Sequence, residues 1–214
     1  RGRVEKSRTV LAYRYKNMLS QNSAYKNLFS PFEIRGKRLK NRIMSTGHDT
    51  SMPTDNLIND QFIAYHKARA EGGAGLIILQ VAGVHESARY TSHVLMATDD
   101  GCIPGYRRVA DICHANNTMV FSQIFHPGRE IRESSEGPLA VAYSASSTPN
   151  ERFHVMPRAL DQKMIDEIVR GYGEAAYRLQ SAGIDGVEIV AAAQAGRMGV
   201  DVVLRVVALE NLRL

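Results

Sequence analysis

A repeated alternation of buried apolar runs with amphipathic segments constrains the fold of this chain more than any other feature. Residues 74–81 form an apolar run without the polar alternation of a half-exposed strand, which indicates a strand covered on both faces. Residues 118–124 and 186–190 have the same character, and residues 41–46 form a candidate first strand. Because helical segments separate these runs, the pattern predicts βαβ units and a parallel sheet.

Apolar residues at helical spacing mark the segments between the strands. The three predicted helices cover residues 60–71, 106–116 and 164–179. In the first helix, Phe62, Ile63, His66 and Ala70 share one face, and a pair of glycines follows as a stop signal. Asp161 stands where it can cap the third helix.

Right-handed crossovers between parallel strands allow two architectures, an open doubly wound sheet or a closed barrel. No GxGxxG motif follows the first strand, which disfavours a dinucleotide-binding open sheet. A closed (β/α)8 barrel usually needs about 250 residues, so four strands by residue 190 would make half of one. The spacing alone leaves both architectures open.

Positive charge is concentrated at the start of the chain. Residues 1–40 hold eleven Lys and Arg against two Glu, whereas the remainder has a formal charge of −4. A basic start is compatible with a nucleic-acid arm, a transit peptide or a solvated lead-in. We favour a solvated lead-in over residues 1–25 and expect no nucleic-acid binding, because no nucleic-acid motif accompanies the charge.

The two cysteines, Cys102 and Cys113, have no CxxC spacing. This argues against a zinc site, an iron–sulfur cluster and a disulfide scaffold, so we expect no metal and a reducing, cytoplasmic location. No apolar run approaches the roughly 20 residues of a membrane span, so we expect no membrane association.

Four short motifs follow one another in an order that resembles a known family. They are LFSP at 28–31 with LKNRI at 39–43, AEGGAGLI at 70–77, SQIFHPGR at 122–129, and AGIDGVEI at 182–189. Together they resemble the old yellow enzyme family of NADH:flavin oxidoreductases. The most similar branch holds 2,4-dienoyl-CoA reductase and trimethylamine dehydrogenase.

The resemblance implies an α/β fold of the (β/α)8 TIM-barrel type. Residues 26–192 would form its N-terminal half, about the first four βα units with parallel strands. It also implies FMN at the C-terminal ends of the strands and NAD(P)H as the reductant. The substrate would be a small molecule, either an enoyl compound or an amine.

The resemblance assigns Gly47, His48 and Asp49 to a loop that contacts the flavin. Gly47 would allow the main chain to approach the flavin ring closely. In the amine-dehydrogenase branch a cysteine at the position of Asp49 can bond covalently to the flavin, so Asp49 implies non-covalent FMN. His48 is a candidate catalytic residue that would face the substrate, although a solvated loop histidine is the alternative.

Further candidates lie at the ends of the second and third strands. By resemblance Val81 lies near the flavin, with an ordinary core valine as the alternative. The amide of Gln123 both donates and accepts, which suits the polar edge of a flavin, and a structural hydrogen bond is the alternative. His126 and Arg129 form a turn near the active site, where Arg129 is a candidate catalytic residue or a partner for a loop carboxylate.

The sequence departs from the family after the fourth motif. Val190 and Ala193 stand where histidines would be expected, and residues 193–214 contain no family motif. We therefore expect a truncated, inactive enzyme with an atypical tail. The alternative is a non-catalytic half-barrel module that self-associates, as a homo-oligomer through its exposed strand edges, or binds a partner.

Overall fold

The computed structural model describes residues 25–131, 141–151 and 153–190, and residues 205–208 as a backbone strand. The predicted lead-in over residues 1–25 lies outside the described residues except for Tyr25. Most of the predicted tail over residues 193–214 lies outside them as well.

Strands and helices alternate along the described chain. The strands are β1 Phe32–Ile34, β2 Lys37–Leu39, β3 Met44–Ser45, β4 Leu76–Gly83, β5 Leu95–Met96, β6 Met119–Phe125, β7 Tyr143–Ser144, β8 Arg158–Ala159, β9 Gly186–Val190 and β10 Arg205–Ala208. The α-helices are α1 Lys26–Phe29, α2 Asp60–Glu71, α3 Ile103–Ala115 and α4 Gln162–Ser181. Helices α2, α3 and α4 and strands β3, β4, β6 and β9 lie where the sequence predicts them. None of the described helices is long and apolar enough to cross a membrane.

The central sheet has the strand order β10-β9-β6-β4-β3. Its strands β3, β4, β6 and β9 are parallel and follow one another along the chain, which confirms the predicted βαβ units. This is the arrangement of consecutive units in a (β/α) barrel. Strand β10 comes from the tail and pairs antiparallel with the outer edge of β9. An edge strand offers unpaired N–H and C=O groups, and β10 satisfies those of β9.

The central sheet has an outer face covered by helices and an inner face that would line a barrel. Leu79, Val120 and Val187 lie on the outer face in the main core, with Tyr106 of α3 and Leu179 of α4. A second cluster on the inner face joins strand residues Leu76, Ile78 and Phe121 to Leu39 of β2. Alternate residues of each strand therefore belong to different cores, as the pleat of a strand requires.

Side-chain caps set the starts of the helices. The Asn59 side chain accepts a hydrogen bond from the N–H of Phe62 at 3.0 Å, so α2 begins at the next residue, Asp60. Asp161 accepts from the N–H of Met164 at 2.8 Å, which confirms the predicted cap of α4. The face of α2 predicted to be apolar is the buried one.

The hairpin of β1 and β2 closes the N-terminal ends of the strands. Just after it, Lys40 Nζ donates to the carbonyl of Asn116 at 2.6 Å and to Thr118 Oγ1 at 2.9 Å, beside the start of β6. Asn41 Nδ2 donates to the carbonyl of Gly73, before the start of β4, at 2.9 Å. Because the hairpin lies at the N-terminal end, a functional site can form at the opposite, C-terminal end of the sheet.

Candidate active site

Three residues form a row across the inner face near the C-terminal end of the sheet. Val81 of β4 pairs in register with Gln123 of β6, and Gln123 pairs with Glu188 of β9. Residues in register on parallel strands point to the same face of a sheet. Val81 and Gln123 are half-buried, and Glu188 is only 8% exposed. The row therefore places two polar side chains on an otherwise apolar face.

Gly47 packs directly against the amide of Gln123. A Cβ atom at residue 47 would lie 2.6 Å from Gln123 Oε1 and 2.8 Å from Nε2, closer than real side chains approach. Only glycine fits there without displacing the amide. The loop after β3 and the end of β6 thus come together, as expected for parallel strands whose C-terminal ends meet at one edge.

Gln80 anchors the loop that carries Gly47. Its Oε1 atom accepts from the N–H of Thr50 at 3.1 Å and from Thr50 Oγ1 at 2.6 Å, while its Nε2 donates to the carbonyl of His93 at 2.9 Å. Gln80 is fully buried, and the register between β4 and β6 shifts at this residue, as in a β-bulge. Asp49 is exposed and accepts from the N–H of Ser51 at 3.1 Å, which stabilises the same loop.

His48 makes its contacts on the side of helix α2. Its Nε2 atom is hydrogen-bonded to the hydroxyl of Tyr65, and its Nδ1 lies 3.0 Å from the carbonyl of Thr46. The Tyr65 ring in turn lies under the guanidinium of Arg69, 3.3 Å from the ring centroid. These contacts hold His48 against α2, whereas its neighbour Gly47 faces Gln123.

Arg129 is bound to the loop that follows the third strand motif. Its guanidinium donates to the carbonyl of Pro149 at 3.1 Å and to that of Thr148 at 3.4 Å. The carbonyl of Arg129 accepts from Asn150 Nδ2 at 2.9 Å. Arg129 therefore joins two parts of the loop between β6 and α4 at the C-terminal end of the sheet.

His126 belongs to a hydrogen-bonded chain that sequence reasoning missed. Burial, with the nearby His85 as a smaller cause, lowers the pKa of His126 to about 4, so the ring is neutral at pH 7. Its Nδ1 accepts from the N–H of Gly128 at 3.2 Å, which leaves Nε2 to donate to Ser87 Oγ at 2.8 Å. Ser87 then donates to His85 Nδ1 at 2.7 Å, and His85 Nε2 lies 3.9 Å from Glu167.

Tyr172 of α4 ties the ends of two strands together. Its hydroxyl accepts from the N–H of His126 at 2.9 Å and donates to the carbonyl of Val190 at 3.2 Å. Tyr172 and His126 also line an apolar cavity of about 240 Å³, together with Leu160 and Ile168. The C-terminal ends of β6 and β9 are therefore fixed relative to α4.

The profile of the NADH:flavin oxidoreductase / NADH oxidase family matches residues 27–194. The chain belongs to this family. A metal reductase from Desulforamulus reducens is 36% identical over 166 residues, which is 78% of this chain and 24% of that protein. An NADPH dehydrogenase from Listeria welshimeri is 33% identical over 169 residues, 77% of this chain and 48% of that protein.

Solved structures of family members have the same fold. A structure of morphinone reductase in complex with tetrahydroNAD is similar with a TM-score of 0.67 and 26% identity, over 76% of this chain and 48% of that one. The fold is thus an incomplete (β/α) TIM barrel, as the sequence predicts. The chain spans about a quarter to a half of the length of the relatives it matches.

FMN is the cofactor of this family, and NAD(P)H is its reductant. The residues present fit one edge of a flavin in two respects. The inner face carries an amide at Gln123 with both a donor and an acceptor, and the lack of a side chain at Gly47 leaves the space that this amide occupies. The remaining half of a barrel would have to supply the phosphate site, because barrel enzymes commonly build it after their last two strands.

Glu188 and Gln80 are residues of this site that sequence reasoning did not single out. Each is a polar residue inside an apolar strand run, and that pattern is a signal that could have identified them. Ser87 and His85 gave no such signal, because they lie in a loop and reach His126 only through the fold.

Proposed function

We propose that this chain provides the flavin-contacting first half of an FMN-dependent oxidoreductase. When bound, FMN supplies hydride transfer at its N5 atom between NAD(P)H and a small organic substrate. The observation that carries the proposal is the contact between Gly47 and the Gln123 amide on the inner face. A side-chain amide that can both donate and accept, placed at the C-terminal end of parallel strands, suits the polar edge of a flat ring.

Each predicted site residue has a distinct task in this proposal. The Gln123 amide binds the polar edge of the ring, and Gly47 leaves the space that this amide occupies. Val81 bounds the same face from β4. Asp49 holds the turn of its loop and cannot bond covalently to the flavin, so FMN binds non-covalently.

His48 and Arg129 remain predicted substrate contacts. For either residue to act on a substrate, its present partner would have to be exchanged: Tyr65 for His48, and the carbonyl of Pro149 for Arg129. The substrate class we propose is an enoyl compound or an amine. Relatives named as a multifunctional alkene reductase/demethylase and as a probable N-methylproline demethylase support both members of that class.

Titration of the purified 214-residue chain with FMN tests the proposal. We expect binding to quench flavin fluorescence and to shift the visible flavin spectrum. Replacement of Gln123 by Leu removes two hydrogen bonds of about 1 kcal/mol each, which lowers the affinity about thirtyfold. Gln61→Leu, a change of the same kind at an exposed position of α2, should leave the affinity unchanged. A wild-type chain that takes up no FMN would refute the proposal for this chain.

A second candidate function is a non-catalytic module that self-associates. Val169 and Tyr177 of α4 are 66% and 48% exposed, so this helix presents two large apolar side chains that a second copy could cover. Such a module would form a homo-oligomer in the cytoplasm without binding nucleic acid. Light scattering after size-exclusion chromatography distinguishes the two candidate functions. A monomeric chain that binds FMN would rule out the self-associating module.

A further inference from the structure

We propose that Glu188 is a positioning residue that sets the orientation of the Gln123 side-chain amide. Gln123 Nε2 donates to Glu188 Oε1 at 3.3 Å, and the two residues are paired in register on β6 and β9. The inference rests on the proposed function, since it concerns the amide assigned to the flavin edge. It adds a residue that has no contact with the flavin in that assignment.

The side-chain amide of glutamine has two ends of nearly the same size and opposite hydrogen-bonding character. A carboxylate oxygen only accepts, so the end of the Gln123 amide that faces Glu188 has to be the NH2 group. The reversed amide would bring two acceptor oxygens together, which is repulsive. Glu188 thereby turns Oε1 away from β9 and fixes which part of the flavin edge meets a donor and which meets an acceptor.

The surroundings make this orientation rigid. Glu188 is 8% exposed, so water competes poorly for its carboxylate. On the other side, Gly47 lies against the amide and leaves it no room to rotate freely. The amide is thus held between a glycine backbone and a fixed acceptor before any ligand arrives.

The position of Glu188 has a second consequence for the cofactor. A negative charge lies one hydrogen bond behind the amide that binds the flavin edge. Negative charge near that edge disfavours electron uptake by the ring, because reduction increases electron density there. Removal of the charge should raise the reduction potential of bound FMN, whereas loss of a purely structural contact would not.

Three variants test the role of Glu188. Glu188→Leu removes the acceptor, and we expect FMN affinity to fall about fivefold, the equivalent of one net hydrogen bond. Glu188→Gln keeps the volume but accepts either orientation of Gln123, so the affinity should fall only about twofold while the potential rises. Glu71→Gln, at an exposed position of α2, is the control and should change neither quantity.

A readout without flavin separates this inference from the proposed function. The side-chain amide resonances of Gln123 are those that Gln123→Leu removes from a ¹⁵N spectrum of the apo chain. We expect Glu188→Gln and Glu188→Leu to shift them and Glu71→Gln to leave them in place. Unshifted resonances would overturn the inference, as would wild-type affinity and potential in Glu188→Leu. A wild-type chain without FMN uptake would count against the proposed function alone, and the spectrum would still decide the role of Glu188.

Discussion

A buried histidine in α2 makes the stability of the fold depend on pH. His66 is 1% exposed, and neither of its ring nitrogens has a hydrogen-bond partner among the described residues. Burial, followed by the charges of Arg69 and His48, lowers the pKa of His66 from 6.5 to about 3. The unfolded chain therefore binds a proton at a higher pH than the folded chain does. Stability falls as the pH falls from 6.5 towards 3, and the full effect is about 5 kcal/mol.

The most practical window lies between pH 7 and pH 5. In that window the same linkage predicts that His66 alone removes about 2 kcal/mol from the free energy of unfolding. His66→Phe keeps an aromatic ring beside Phe62 and cannot be protonated. The variant should therefore lose about 2 kcal/mol less than the wild type over this interval.

Urea unfolding followed by circular dichroism at the two pH values measures the difference. Because each protein is compared with itself, any packing cost of the phenylalanine cancels. His154→Phe, the same change at an exposed position, should leave the wild-type pH dependence intact. Equal losses in the wild type and in His66→Phe would show that His66 is not the group that titrates.

Three further predictions concern contacts in the site and the fold. Gly47→Ala should weaken FMN binding in a fluorescence titration, because the added Cβ displaces the Gln123 amide, and unchanged binding would contradict the close packing. Tyr172→Phe removes a hydroxyl that joins the ends of β6 and β9, and urea unfolding should show a loss of about 1–2 kcal/mol. Asp161→Ala removes the cap of α4 and should cost about 1 kcal/mol in the same assay, with FMN affinity unaltered.

The sequence predicted the secondary structure well because its signals are local. Unbroken apolar runs marked β4, β6 and β9, and helical spacing marked α2 and α4, since both patterns depend on residues close in the chain. The contact between Gly47 and Gln123 could also be predicted from the sequence, because the C-terminal ends of parallel strands in one sheet lie at the same edge. The side-chain amide of Gln123 can both donate and accept, and this directed attention to that residue.

Other features of the site depend on contacts that no local pattern encodes. The bond from His48 to Tyr65 depends on how the loop after β3 approaches α2. The chain from His126 through Ser87 joins two loops 39 residues apart. The antiparallel pairing of β10 joins a segment without family motifs to an edge that was left unpaired. These features follow from the assembled fold, and sequence spacing gave no means to find them.

The register shift in β4 changes what the loss of a single residue would do there. In a regular strand, deletion of one residue reverses the faces of every side chain that follows. Gln80 stands outside the pairing, since Leu79 is opposite Ser122 and Val81 is opposite Gln123. A chain without Gln80 would keep Val81 and Ala82 on their present faces and would lose the hydrogen bonds of the Gln80 side chain to Thr50 and to the carbonyl of His93. The strand thus carries one residue whose removal should release a loop while the sheet stays in alignment.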